Sequence, residues 1–307
     1  MRGAGGTVLV LGARSQIGHY LLPLLRRSGI DVVAASRSAA AAEADAVRWV
    51  RLDPERGFGT EHLPRPIDAV VSLAPLHVLP PLVDGLAAIG ARRIIAFGST
   101  SVIKATSADP KERRLAVGLR EGEADLAQVC ERHGIDWTVF RPTLVYSSGL
   151  DRNVSEIARF IRRFRVFPIV GAGSGLRQPV HAADLAAACL GALQSSTACN
   201  KSYDLSGGRT LTYREMVEEV FRALGMRPRF VRVPLWLIKA GIRAAAFLPR
   251  FAKLSPELAT RMNQDLCFDS TPAQHDFGFS PRAFSLQELA GLTASGQARM
   301  RQPQPRP

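Results

Sequence analysis

The stretch V-L-V-L-G-A-R-S-Q-I-G at Val8–Gly18 decides how the rest of the chain reads. A short apolar run ends at Gly12, and helical spacing begins just beyond it, over Ile17–Arg26. Glycine at 12 lets the chain turn sharply, and glycine at 18 lets a helix lie close on the strand. The opening N–H groups of such a helix face a pyrophosphate. The spacing is G-x-x-S-x-x-G, with Ser15 where a middle glycine is expected. Serine is small and brings a hydroxyl that can meet phosphate. Gly12, Ser15, Gln16, Ile17 and Gly18 are therefore the expected cofactor cradle. The bland alternative is an ordinary tight βα turn, and the alternation downstream argues against it.

Working outward, short apolar runs recur at Asp31–Ala35, Val47–Leu52, Ile67–Leu73, Arg93–Phe97 and Trp137–Phe140. Helical patterns lie between them, at Leu79–Ile89 and Leu115–Arg132 among others. Strands alternating with helices imply a parallel sheet covered on both faces. The second half changes texture. Asn153–Phe164 is a basic amphipathic helix, Gly171–Gly175 a glycine-rich turn and Ala183–Leu193 an alanine-rich helix. Tyr203–Leu205 reads as a strand, and Thr212–Leu224 as a helix with Thr212 at its N-cap. The expected fold is α/β: a Rossmann-like, doubly wound parallel sheet in residues 1–150 with a smaller C-terminal substrate lobe of mixed α/β structure in 151–293. The strand near 203–205 is expected to return to the main sheet. Residues 294–307 are expected to form a flexible basic tail.

Composition narrows the function. The chain has 307 residues, 46% hydrophobic and 22% charged, which excludes a disordered or collagen-like chain. No apolar run reaches the roughly 18 residues of a membrane span. The first apolar run is about five residues long, so a strand fits it better than a secretory signal. The four cysteines lack C-x-x-C spacing and the histidines lack metal-ligand spacing, so no disulfide framework and no metal is expected. A reducing cytoplasm is the default location. The formal charge of +13 admits a nucleic acid, an anionic membrane surface or a phosphorylated ligand. No helix-turn-helix, zinc-finger or aromatic stacking pattern supports nucleic acid. The apolar segment Pro234–Phe247, interrupted by Lys239 and Arg243, could lie on a membrane surface. Packing on the core with the two cations reaching water is the preferred reading.

The cofactor follows from the second strand. It ends Ala34-Ala35-Ser36-Arg37, without the acid that grips a ribose 2′-hydroxyl. Arg37 and Arg14 can instead reach a 2′-phosphate, which favours NADP over NAD. Asp53, after the third strand, suits the adenine side. Leu73 and Ala74, where the fourth strand ends, complete the expected contacts.

At this point the chain resembles the extended short-chain dehydrogenase/reductase superfamily, in particular its NAD-dependent epimerase/dehydratase group, over nearly its whole length. Gly12–Gly18 resembles the group's glycine turn. Phe97-Gly98-Ser99-Thr100-Ser101-Val102 resembles the segment with the catalytic Ser or Thr, which implies that role for Ser99, with Thr100 beside it. Arg141-Pro142-Thr143-Leu144-Val145-Tyr146 resembles the stretch lining the nicotinamide, which implies Pro142 and Thr143 as contacts. Leu176–Ala186 is similar to the R-x-x-V-H-V-x-D-x-A stretch, which implies that Arg177 meets a substrate diphosphate. Tyr203–Gly208 and Leu211–Val217 match the late strand, turn and helix. The resemblance implies an NAD(P)-dependent oxidoreductase or epimerase acting on a nucleotide-sugar-like or other hydroxylated, anionic small molecule.

One part of the pattern is missing. The superfamily's Tyr-x-x-x-Lys pair, a tuned general acid–base couple, has no counterpart: no tyrosine occurs between Tyr20 and Tyr146, and no lysine between Lys111 and Lys201. Either Ser99 holds the reacting oxygen while Lys104, Arg120, Glu121 or Glu123 supplies proton or charge, or the dinucleotide is bound without being used. The second case describes an assembly factor or redox-sensing regulator, like the accessory subunit of respiratory complex I in the atypical branch that Pro234–Phe284 loosely resembles. Asp151 and Asn153, after the sixth strand, either cap a helix or face substrate. Peripheral membrane contact and a homodimer stay open.

Overall fold

Five apolar or β-branched residues, Thr7–Leu11, form β1, and four of them are buried. The structure, a computed structural model, describes residues 6–37, 47–53, 59–60, 62–107, 109–147, 149, 151, 153–234, 236 and 261–286. The chain divides into two units, one of residues 1–143, 180–206 and 268–281, the other of 144–179, 207–267 and 282–307.

In the first unit β1 is followed by α1 (Gln16–Arg27), β2 (Asp31–Ser36), β3 (Arg48–Arg51), β4 (Ala69–Ser72), α2 (Val83–Ala88), β5 (Arg93–Phe97), α3 (Pro110–Arg132) and β6 (Asp136–Pro142). Among the described residues, seven strands form one sheet in the order β11-β6-β5-β4-β1-β2-β3, with β11 at Lys201–Leu205. Every neighbouring pair is parallel. Chain order reverses between β1 and β4, which opens a crevice at the carboxyl ends of those strands. The inner strands β4 and β5 are buried along their whole length. That is why they read as unbroken apolar runs. The late strand does return to the main sheet, pairing Tyr203 with Phe140 and Leu205 with Pro142.

Helix boundaries follow local chemistry. α1 buries Ile17, Leu21, Leu22 and Leu25, a stripe at helical spacing, and ends on Arg26 and Arg27 beside its negative dipole end. The helix expected over Leu79–Ile89 is a correction. Two 3-10 turns, Leu76–Val78 and Pro80–Leu82, precede a six-residue α2. Pro80 and Pro81 lack the N–H groups an α-helix needs and disfavour helical backbone before them. α3 begins at Pro110, five residues before the expected Leu115, because Asp109 caps it and Pro110 suits the first position. The unit also holds β10 (Val180–His181), α5 (Ala182–Gln194) and a last helix, α7 (Thr271–Phe277).

The second unit contains β7 (Val145–Tyr146), α4 (Asn153–Phe164), β8 (Phe167–Ile169), β9 (Leu176–Arg177), β12 (Leu211–Thr212), α6 (Tyr213–Ala223) and β13 (Phe230–Arg232). β8 pairs parallel with β13 and β9 antiparallel with β12. Its core gathers Tyr146, Val154, Ile161, Phe167, Met216, Val220 and Phe221. Thr212 caps α6 as expected, in a reciprocal capping box with Glu215. The expected tail at 294–307, and most of Pro234–Phe247, lie outside the described residues. Among the described residues no helix is long and apolar enough to cross a membrane.

Candidate cofactor and catalytic site

Gly12 leaves β1 with φ +68°, a backbone conformation that side chains resist. A Cβ there would stand 3.0 Å from the Leu73 carbonyl carbon and 3.1 Å from the Ala74 nitrogen. The notch between the ends of β1 and β4 is thus walled by backbone, with Leu73 held by its N–H to the Leu11 carbonyl at 2.9 Å. Ser15 is the extended N-cap of α1, and its Oγ accepts the Gly18 N–H at 3.2 Å. Its hydroxyl proton is left to donate elsewhere. Gly18 lies so close to the preceding turn that a Cβ would sit 2.1 Å from the Ala13 carbonyl oxygen. The first turn of α1, with Gln16 and Ile17, carries no acid to repel a phosphate. The donor set and the backbone-walled notch fit a dinucleotide pyrophosphate.

The ends of β2 and β3 are basic. Ala13 donates its N–H to the Ala35 carbonyl at 3.2 Å, which moors the glycine turn to β2. Arg37 is exposed one residue past β2. Arg14 is exposed as well, and its guanidinium lies 5.5 Å from the ring centre of Trp49 on β3. Asp53 is 5% exposed just beyond β3. Spacing brought Arg14 and Arg37 to notice; it did not show Trp49, which sits on a different strand.

At the carboxyl end of β5, Ser99 is an extended N-cap whose Oγ accepts the Ser101 N–H at 3.1 Å. Thr100 is buried and donates its hydroxyl to the Pro142 carbonyl at 3.2 Å. Thr143 donates its N–H to the Leu205 carbonyl at 3.0 Å. Ser99, Thr100, Pro142 and Thr143 therefore share the ends of adjacent strands.

The proton-donor candidates separate. Lys104 pairs with Glu112 at 2.9 Å, and Ser107 donates to the other oxygen of the same carboxylate. Glu123 is buried, and its two oxygens accept from Arg141 Nε at 2.9 and 3.0 Å while Arg141 Nη2 closes the pair. Arg120 and Glu121 are exposed on α3. Asp204, opposite Arg141 in the β6–β11 register, joins this charge group. Burial raises its carboxyl pKa, Arg141 pulls it back and Glu123 pushes it up further. Neither Arg141 nor Asp204 stood out from the sequence as an ionic partner, because the pair partners lie on separate elements.

In the second unit Asp151 caps α4: it is buried and accepts the Val154 N–H at 2.6 Å and the Ser155 N–H at 3.2 Å. Asn153, the first residue of α4, is exposed. Arg177 is 5% exposed, and Nη1 donates to the carbonyls of Leu176 at 2.7 Å and Gln264 at 2.6 Å. Its Nη2 donates to the Arg261 carbonyl, and the guanidinium lies 5.6 Å from the Tyr213 ring centre. Burial lowers its pKa. His181 caps α5 through Nδ1, accepting the Ala183 N–H at 3.1 Å. Among the described residues no three acidic, histidine or cysteine side chains gather to hold a metal.

The family described as "NAD dependent epimerase/dehydratase family" matches this chain over residues 8–81 and 76–205. A 2-alkyl-3-oxoalkanoate reductase of Stenotrophomonas maltophilia is 29% identical over 207 residues, 63% of this chain and 58% of that protein. The mitochondrial NADH dehydrogenase (ubiquinone) 1 alpha subcomplex subunit 9 of Arabidopsis thaliana is 30% identical over 104 residues, 34% of this chain and 26% of that one. The chain thus spans 58% and 26% of the length of these two curated relatives. Among solved structures, MoeE5 in complex with UDP-glucuronic acid and NAD superposes with a TM-score of 0.71 at 21% identity, covering 96% of this chain and 100% of that one. That likeness is one of fold. The glycine turn, the strand order that frames it and the match across residues 8–205 lead to one conclusion: this chain belongs to the NAD-dependent epimerase/dehydratase family.

Proposed function

We propose that the protein binds NADP in preference to NAD and performs redox or epimerase-type chemistry on a hydroxylated, nucleotide-sugar-like small molecule. The observation that carries this reading is the backbone-walled notch at the β1–β4 reversal, with arginines in place of an acid beyond β2. Gly12, Ser15, Gln16, Ile17 and Gly18 would hold the pyrophosphate, and Arg14 and Arg37 the 2′-phosphate, with Asp53 on the adenine side. Leu73, Ala74, Pro142 and Thr143 would bound the rest of the cofactor. The bound nicotinamide supplies acceptance and return of a hydride. Ser99 would donate its hydroxyl proton to a substrate oxygen; its acceptance of the Ser101 N–H, which leaves that proton to donate, supports the role. Thr100 fixes that segment against Pro142. Solved relatives of the same fold carry UDP-sugars beside NAD, which supports the substrate class. Asn153 is the second unit's exposed polar candidate for substrate. Arg177 is engaged by three carbonyls, so in this reading it organises the second unit.

A second reading has an observation of its own. Two of the four charged side chains that could replace the missing tyrosine and lysine are tied up, Lys104 with Glu112 and Glu123 with Arg141, and the other two, Arg120 and Glu121, are exposed on α3. A protein that binds the dinucleotide without turning it over accounts for that. Measuring NADPH and NADH affinity, then screening nucleotide sugars for cofactor turnover, separates the two. Tight binding without turnover favours the second reading, and binding of neither dinucleotide removes both.

A further inference from the structure

We infer that Trp49 is a positioning residue for cofactor choice: its indole holds Arg14 across the end of β2, where a phosphate on the adenosine ribose would be recognised. The inference rests on the cofactor reading above and adds a residue that no motif marks.

The geometry begins with the sheet. Val10 of β1 lies opposite Ala34 of β2, and Ala34 lies opposite Trp49 of β3. Successive side chains on a strand point to opposite faces. Val33, Ala35 and Val50 pack into the core on one face, so Ala34 and Trp49 lie together on the other. Arg14 starts at the β1 end, where its neighbour Ala13 is moored to the Ala35 carbonyl. Its guanidinium ends 5.5 Å from the Trp49 ring centre, two strands away. Ala34, between Val10 and Trp49 in register, carries only a methyl group on that face. Trp49 is half-buried on this edge strand, so part of the residue meets solvent.

A guanidinium against an indole is attracted by the ring quadrupole. It keeps its N–H edge for a bidentate contact with phosphate. A free arginine loses rotamer freedom when it closes on a ligand, and one already held against a ring loses less. Arg37 stands exposed past β2, and Arg51, opposite Ser36 in register, is exposed at the end of β3. Three strand ends in a row therefore present arginine, and Trp49 fixes the direction of the one that starts farthest away.

The test compares adenosine 2′,5′-bisphosphate with AMP, and NADPH with NADH, by calorimetry on the full chain. The wild type is expected to bind the 2′-phosphorylated member of each pair more tightly. Trp49→Leu should cut that preference about three- to fivefold while AMP affinity and thermal midpoint hold. Trp49→Phe, which keeps an aromatic face, should restore most of the preference. Arg14→Met should lower the preference at least as far as Trp49→Leu, and it reads the same ratio should the leucine variant not fold. An unchanged ratio in Trp49→Leu, or equal weakening of both members, overturns the role of Trp49 and leaves the cofactor reading standing. A wild type that binds neither dinucleotide overturns the cofactor reading, and this inference with it.

Discussion

Glu123 on α3 and Arg141 on β6 meet as a two-pronged ion pair beside Gly98, where a Cβ would come within 2.9 Å of the Glu123 oxygen. The Glu123 side chain is 9% exposed and that of Arg141 27%. Arg141 also faces Asp204 across the register, so one guanidinium serves two carboxylates. Removing Arg141 should therefore cost more than removing Glu123. Arg141→Met is expected to lose about 2–3 kcal/mol and Glu123→Gln about 1–2 kcal/mol, at or below the low end for a buried pair because Arg141 is partly solvated. Urea unfolding of both variants and the double variant measures this, and equal losses would contradict the shared role.

Gly18→Ala tests the packing of the helix on its strand. The added carbon would lie 2.1 Å from the Ala13 carbonyl oxygen, so backbone must move. The expected loss is about 1–3 kcal/mol of stability. Dinucleotide affinity should fall as well, because the shift displaces the amides of the glycine turn. Calorimetric titration with NADPH provides the second readout, and unaltered affinity would count against the proposed cradle.

Asp276 gives a pH signature. It accepts from Lys201 Nζ at 2.8 Å, from Tyr203 Oη at 2.6 Å and from His275 Nδ1 at 3.0 Å. These bonds, that of Lys201 foremost, hold its carboxyl well below the usual carboxylate range. The unfolded chain then takes up this proton first as pH falls. The stabilisation is complete above the unfolded carboxylate value of roughly 4 and disappears as pH drops through the folded one. Asp276→Asn should be less stable than wild type at pH 7. That gap should narrow steadily below about pH 4, as followed by denaturant midpoints; a constant gap would show that the carboxylate charge is not what matters.

The cysteines should sort by burial. Burial pushes the Cys130 thiol up to about 12 and raises Cys189 as well. Cys267 is exposed. At pH 8 a thiol reagent on the native protein should modify Cys267 first, with Cys130 and Cys189 reacting only as fast as the chain opens. Mass spectrometry of timed samples identifies the sites, and early labelling of Cys189 would mean that α5 is not packed as described.

The candidate site was only partly readable along the chain. Gly12, Ser15 and Gly18 announce themselves because their task is local: a left-handed turn, a cap and a close approach within a few residues. The return of Lys201–Leu205 to the sheet was also foreseeable, since an apolar strand after a helix has few places to go. Lys104, Glu123 and Arg177 looked available for chemistry, and the structure engages each with a partner 8, 18 and as many as 87 positions away.

Periodicity, glycine placement and capping residues thus determined the alternation of strands and helices and the glycine turn that opens α1, because each depends on backbone geometry over one or two turns. The Arg14–Trp49 contact, the Glu123–Arg141 pair and the hold of Asp276 on Tyr203 came only from folding. They join residues 35, 18 and 73 positions apart by number, and a charge or a ring selects its partner by the order in which strands and helices are assembled, which no local pattern encodes.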